Sequence, residues 1–151
     1  MEIKLCRCKD EDIDEVCRMS NQLSVRFNSF NKQFIPYGEH CKWYENSLKN
    51  PNRIMYLIKV DKTTVGQVRI DKEKNVGELS FSIDEDNRGK GYASELLKLI
   101  IRKALVKNIC ILRGRVLKEN EGSKKLFLKN NFIEKKEKDY YLYTLFLKEN
   151  N

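Results

Sequence analysis

The chain has 151 residues, 40% of them hydrophobic and 34% charged, a balance that suits one soluble domain over residues 1–151 with a core of ordinary size. Thirty lysines and arginines against 22 acidic residues give a formal charge of +8, which favours anionic partners. The basic residues are scattered among apolar ones, so an anionic small ligand is expected and nucleic acid is not.

Residues 2–8 alternate and predict a strand. Asp10 and Asp12 offer N-caps for a helix reaching Met19, with Ile13, Val16 and Cys17 on one face. Residues 20–36 mix polar and aromatic groups and read as a long irregular loop, a length that often carries function. A helix over 38–49 follows, with Trp43, Tyr44 and Leu48 as its apolar face, ended by Asn50-Pro51-Asn52. Strands are expected over 53–60 and 64–71, joined by a hairpin-sized turn, and a third over 77–83. In that third strand Leu79, Phe81 and Ile83 face one way and Glu78, Ser80 and Ser82 the other. A helix over 91–106 has apolar positions at Leu96, Leu97, Ile100, Ile101, Ala104 and Leu105, the spacing of a packed face. A strand over 109–117, a helix over 120–129 and a terminal hairpin, 132–135 with 140–147, complete a mixed α/β sheet.

Several functions are not expected. The cysteines, Cys6, Cys8, Cys17, Cys41 and Cys110, contain no CxxC pair, and His40 is the single histidine, so no metal site of the usual zinc spacing is anticipated. Reduced thiols in a cytoplasmic protein are the simplest reading. The first residues lack the apolar run of a signal peptide, and no stretch approaches the roughly 18 apolar residues of a membrane span.

The most informative stretch joins the third strand to the following helix: Arg88-Gly89-Lys90-Gly91-Tyr92-Ala93-Ser94. Backbone N–H groups at a helix N-terminus, with a lysine and an arginine beside them, make an anion site. Glycines there let a phosphate approach the backbone without meeting a Cβ. A Walker loop is absent, and Ser94 stands where a dinucleotide fingerprint needs its third glycine. What remains is R-x-x-G-x-A, carried by Arg88, Gly91 and Ala93.

That motif resembles the (Q/R)-x-x-G-x-(G/A) fingerprint of the GNAT superfamily, the GCN5-related N-acetyltransferases. A second segment, Asn120 to Phe132, is similar to the family's N-x-x-S-x-x-x-Y-x-K-x-G-F pattern. The resemblance covers nearly the whole chain. It implies a mixed, mostly antiparallel sheet of about seven strands, helices on both faces, and a splay between the fourth and fifth strands. It also implies acetyl-CoA as co-substrate, its pyrophosphate on the N–H groups from Arg88 through Gly89, Lys90, Gly91, Tyr92 and Ala93 to Ser94. The pantetheine would then lie along Phe81, Ser82 and Ile83, with Asn120 and Phe127 beside it. Phe127 replaces the family tyrosine that protonates the leaving sulfur, so Tyr92, Tyr140, Tyr141, Tyr143 or water must serve. Asn131 replaces a glycine, a milder change because asparagine tolerates positive φ.

Scattered residues, Val25 to Phe30, Ile35, His40, Trp43 and Gly66 to Asp71, look like those of GNATs in nonulosonic-acid pathways. These acetylate the 4-amino group of UDP-linked amino-deoxy sugars. The implied acceptor residues are Arg26, Phe30, His40, Trp43 and Arg69. Glu78 and His40 are the candidate bases for direct attack of the amine on the thioester. A peptide amine acceptor and a non-catalytic acyl-CoA-binding module are the alternatives, and monomer and homodimer stay open.

Overall fold

The computed structural model describes residues 2–147. Seven strands form one sheet in the order β1-β2-β3-β4-β5-β7-β6: β1 (Ile3–Arg7), β2 (Arg53–Val60), β3 (Thr63–Glu73), β4 (Val76–Ile83), β5 (Ile111–Val116), β6 (Ile133–Lys136) and β7 (Tyr141–Phe146). Five helices connect them: α1 (Ile13–Ser20), α2 (Leu23–Phe27), α3 (Tyr37–Lys49), α4 (Tyr92–Val106) and α5 (Glu121–Lys129). All pairings are antiparallel except β4 with β5, as the helical crossover α4 between them requires.

The side-chain period of two divides the sheet into two faces with different coverings. Ile54, Tyr56 and Ile58 of β2 join Val68, Ile70, Leu79 and Ile83 under Leu96, Leu97, Ile100 and Ala104 of α4. Met55 and Leu57 turn the other way and meet Val16 and Met19 of α1 and Tyr44 of α3. The 3, 4 spacing of α4 therefore buries the face expected of it.

One expectation changes. The interval 20–36 is not wholly irregular, since Leu23–Phe27 forms a helical turn and a half. Its apolar residues have no helical stripe to announce it, and none of them is buried. The first helix starts where the second of its two candidate caps puts it: Asp12 is the N-cap of α1, and Asp10–Asp12 form a 3-10 turn before it. Asn131 has φ of +69°, the left-handed conformation expected after α5.

The parallel pairing of β4 with β5 runs only from Val76–Ile111 to Glu78–Arg113. Beyond it the two strands part, while β5 stays paired to β7 along its whole length. The ring of Phe127 sits at the parting. It stacks on Tyr143 at 5.2 Å and meets Phe132 at 4.8 Å and Phe81 of β4 at 6.0 Å, both edge-on. Gly114 of β5 makes room for it: a Cβ there would lie 2.7 Å from Phe127 Cζ.

Gly114→Ala should therefore force a ring that is locked on three sides, at a cost of about 1–3 kcal/mol. Thermal melting should show a drop of several degrees; an unchanged Tm would mean that the ring moves aside freely.

Candidate active site

Register alone assembles the floor of a cleft. Met55 pairs with Arg69, and Arg69 with Ser80; Leu57 pairs with Gln67, and Gln67 with Ser82. Asp71 pairs with Glu78, and Glu78 with Arg113. Facing partners lie on one side of a sheet, so Gln67, Arg69, Glu78, Ser80, Ser82 and Arg115 share the face that α1 and α3 cover. Apolar packing fills that face only under Met55 and Leu57. Across β3, β4 and β5 it is polar and left open, as a cleft of about 510 Å³. Its roof comes from Val25, Arg26, Asn28, Ser29, Phe30, Asn31 and Trp43, and Asn120, Ser123 and Phe127 close the end where β4 and β5 part.

Two carboxylates organise the charge here, Asp71 beside the cleft and Glu78 within it. Asp71 accepts a 2.6 Å bond from Arg53 Nε and lies 3.2 Å from Arg69 Nε. The Arg69 N–H is not aimed at that oxygen, and Nε is a buried nitrogen with no hydrogen-bond partner. Both guanidiniums stand 5.5 Å from the Trp43 ring, a cation–π arrangement. Burial lowers the Arg69 pKa from its ordinary value, and Asp71 counteracts this only in part; the group remains cationic. The second carboxylate, Glu78, accepts a 2.6 Å bond from Arg115 Nε. Arg115 lies 5.4 Å from the Phe30 ring and 5.8 Å from that of Tyr140.

Beyond Glu78, β4 keeps β3 on one edge and has no strand on the other. That free edge ends at Asp84 and a 3-10 turn, Glu85–Asn87. The chain then reaches Gly89 and Gly91, with φ of +78° and +80°. A Cβ at either glycine would meet nothing within 4 Å, so the glycines serve backbone conformation and leave open space above the loop. Gly91 stands at the N-cap of α4 and has no side chain to cap it, so the positive end of a fifteen-residue helix dipole meets the loop and favours an anion there. These features fit a pyrophosphate, and the bare β4 edge fits an extended amide chain beside it.

A family model for the acetyltransferase (GNAT) domain matches residues 3–133. The chain belongs to the GNAT N-acetyltransferases. It is an acetyl-CoA-dependent enzyme of that family. No curated protein matches it significantly. Among solved structures, the spermidine N-acetyltransferase of Vibrio cholerae, solved with CoA and spermine, superposes with a TM-score of 0.88 at 15% identity, over 96% of this chain and 95% of that one. An N-acetyltransferase from Staphylococcus aureus Mu50 gives 0.80 at 23% identity, over 98% and 100%. A ribosomal L7/L12 α-N-protein acetyltransferase in complex with CoA gives 0.81 at 16%, over 96% and 94%. At these identities the likeness is one of fold.

Within this acetyltransferase the expected residues separate. Arg69, Phe30, Trp43, Glu78, Phe81, Ser82, Asn120 and Phe127 all line the cleft. Asn120 also caps α5, accepting a 3.2 Å bond from Ser123 N. Arg88, Gly89, Lys90 and Gly91 are exposed on the loop, with Ala93 and Ser94 half-buried behind them. Arg88 turns its guanidinium inward, donating to Ile83 O at 3.1 Å and Ser24 Oγ at 2.8 Å.

Three expectations do not match the geometry. His40 is 2% exposed and does not line the cleft. Its Nε2 donates to Ile13 O at 2.8 Å, and its ring lies beside Trp43 and Tyr44, so it joins α3 to α1. Arg26 lines the cleft, but its guanidinium is already engaged by Ser20 O, Asn31 O, Gln33 O and Ser29 Oγ. It holds the shape of the roof loop rather than presenting a free fork to phosphate. Tyr92, the first residue of α4, is packed in the core, and Tyr143 donates to Glu134 at 2.8 Å. Neither lines the cleft; Tyr56 does.

Sequence reasoning missed Arg115 and Gln67. Arg115 and Gln67 were readable as polar residues on alternating strands, but only strand order brings them to the same cleft. Cys8 also lines it; burial first of all pushes its pKa up to about 11. It is a thiol at neutral pH, not an activated nucleophile. Among the described residues no group of three or more His, Cys, Asp or Glu side chains is arranged to hold a metal, and no helix is long and apolar enough to cross a membrane.

Asp84, the residue at the end of β4, is 5% exposed. Burial alone would raise its pKa, but Arg18, Gln22 and the Asp86 N–H outweigh it and hold the carboxyl below its ordinary 3.8. A depressed folded-state pKa stabilises the protein above the unfolded value and loses that contribution as pH falls through the folded one. Asp84→Asn should thus cost about 1–2 kcal/mol at pH 7 and progressively less below about pH 4. Urea titrations at pH 7 and pH 3 check this; an equal deficit at both would contradict it.

Proposed function

We propose that this enzyme acetylates the primary amine of a small acceptor that also carries an anionic group, with a UDP-linked 4-amino-deoxy sugar as the leading acceptor. The observation that carries this reading is the cleft's charge. Arg69 and Arg115 line it and Glu78 is the single carboxylate among its lining residues, while Arg69 keeps a buried N–H without a partner. Such a donor is satisfied by a phosphate or carboxylate oxygen and repelled by a polycation. Trp43 and Phe30 supply aromatic faces for a sugar or base beside these cations.

In this reading the loop from Arg88 to Ser94 holds the pyrophosphate of acetyl-CoA, and Phe81 to Ile83 line its pantetheine along the free edge of β4. Acetyl-CoA supplies the acetyl group as a thioester. Glu78 takes the proton that the acceptor amine loses as its N–C bond forms, directly or through one water. Arg115 fixes the Glu78 carboxylate through Nε. Phe127 has no proton to give, so it shields the site from solvent, and water protonates the departing thiolate.

Thiol release should be measured with UDP-4-amino sugars, spermidine, and peptides bearing a free N-terminus or lysine. Turnover should be greatest with the nucleotide sugar and least with spermidine; the reverse order would overturn the anionic-acceptor reading, and turnover with peptides alone would move the acceptor to protein. Arg69→Met should raise the KM for the anionic acceptor about 10- to 100-fold and leave that for acetyl-CoA nearly unchanged.

Glu78→Gln should lower kcat about 100-fold or more at neutral pH with a small effect on KM. A variant that keeps its kcat would remove Glu78 from the chemistry.

A further inference from the structure

The acceptor-side roof and the donor loop share one buried carboxylate. Arg18 of α1 donates through Nη2 to Asp84 Oδ2 at 2.7 Å. Gln22, just before α2, uses both ends of its amide: Nε2 donates to Asp84 Oδ1 at 2.9 Å, and Oε1 accepts from Glu85 N at 3.2 Å. Ser24 of α2 donates to Glu85 Oε2 at 3.4 Å and accepts from Arg88 Nη1 at 2.8 Å. Asp84 Oδ1 also accepts from Asp86 N, capping the turn that feeds the glycine loop. The position of Asp84 is itself fixed. The register between β2 and β3 shifts by one residue at Val65, and the Val65 carbonyl accepts a 2.7 Å bond from Asp84 N.

These polar bonds matter because packing does little there. No residue of α2 is buried; Leu23 is 86% exposed and Phe27 61%. A segment with so little apolar burial has low local stability and is ordered by its specific contacts. Yet α2 carries Val25 and Arg26 and leads directly into residues 28–31, which together roof the acceptor cleft. A ligand that stiffens the loop at Arg88 to Gly91 also stiffens Ser24 and Gln22, and spares the acceptor part of the entropy of ordering the roof.

We propose that Asp84 is a positioning residue that couples the roof segment, residues 18–31, to the loop 88–91, so that occupancy of either site raises affinity at the other. By thermodynamic linkage the effect is reciprocal. It rests on reading the loop as the pyrophosphate site. The clasp is made by Arg18, Gln22, Ser24, Glu85 and Arg88, with Glu15 behind Arg18 at 2.6 Å.

The test uses the full chain and CoA alone, so the acceptor need not be known. Amide exchange across residues 18–27 should slow several-fold on adding CoA to the unsubstituted enzyme. Arg18→Met and Gln22→Ala, which alter the roof and leave the loop sequence intact, should each raise the CoA Kd on the order of threefold to tenfold and abolish that slowing. Arg18→Lys should recover much of both. A merely structural role would speed exchange equally with and without CoA. Gly91→Glu serves as the control on the loop itself. If it leaves the CoA Kd unchanged, the pyrophosphate reading fails. If it abolishes binding while Arg18→Met and Gln22→Ala keep the Kd within about twofold, or while CoA fails to slow exchange in the unsubstituted enzyme, the coupling is wrong.

Discussion

The parting of β4 from β5 after three paired residues is the constraint on which the rest of the molecule depends. A strand edge inside a sheet is costly unless something occupies it, because its N–H and C=O groups have lost their partners. In the function proposed above, the pantetheine of acetyl-CoA takes up that edge. The Phe127 ring, seated against Gly114 and Tyr143, holds the strands apart where Phe81 meets it. Core packing on one face of the sheet thus opens a polar cleft on the other.

The same departure explains Phe127. The second motif carries phenylalanine where the family has a tyrosine, and the side chain is almost fully buried among aromatic rings. A hydroxyl in that setting would need a partner that the stack does not offer. The residue has become a wedge, and its packing accounts for its identity without any part in proton transfer.

Electrostatics give the cleft its character. Asp71 shares itself between Arg53 and Arg69, so the pair of guanidiniums around Trp43 keeps a net positive charge. Glu78 is similarly engaged by Arg115. In a partly dehydrated cleft, such charges act more strongly than they would in water. The fold is shared both with a spermidine acetyltransferase solved with spermine and with a ribosomal-protein acetyltransferase, so the backbone alone does not specify an acceptor.

Local patterning in the sequence was enough to determine the elements and to mark the glycine loop. Alternation marked β2 and β4, the 3, 4 spacing marked α4, and Arg88, Gly91 and Ala93 stand close enough in sequence for their meaning to survive without a structure. The helix α2 escaped because its apolar residues are exposed and form no stripe. The cleft escaped for a different reason. Arg69, Glu78 and Arg115 lie on three strands, and Arg26, His40 and Tyr92 look equally suited to chemistry until burial and hydrogen bonds are counted. His40 spends its ring on Ile13 O, Arg26 spends its donors on a loop, and Tyr92 lies in the core. By itself the sequence determined the fold and the donor, because both are written in contiguous residues. Only the tertiary structure decided which polar side chains face the cleft, because strand order and register, which bring distant residues onto one face, are set by long-range pairing.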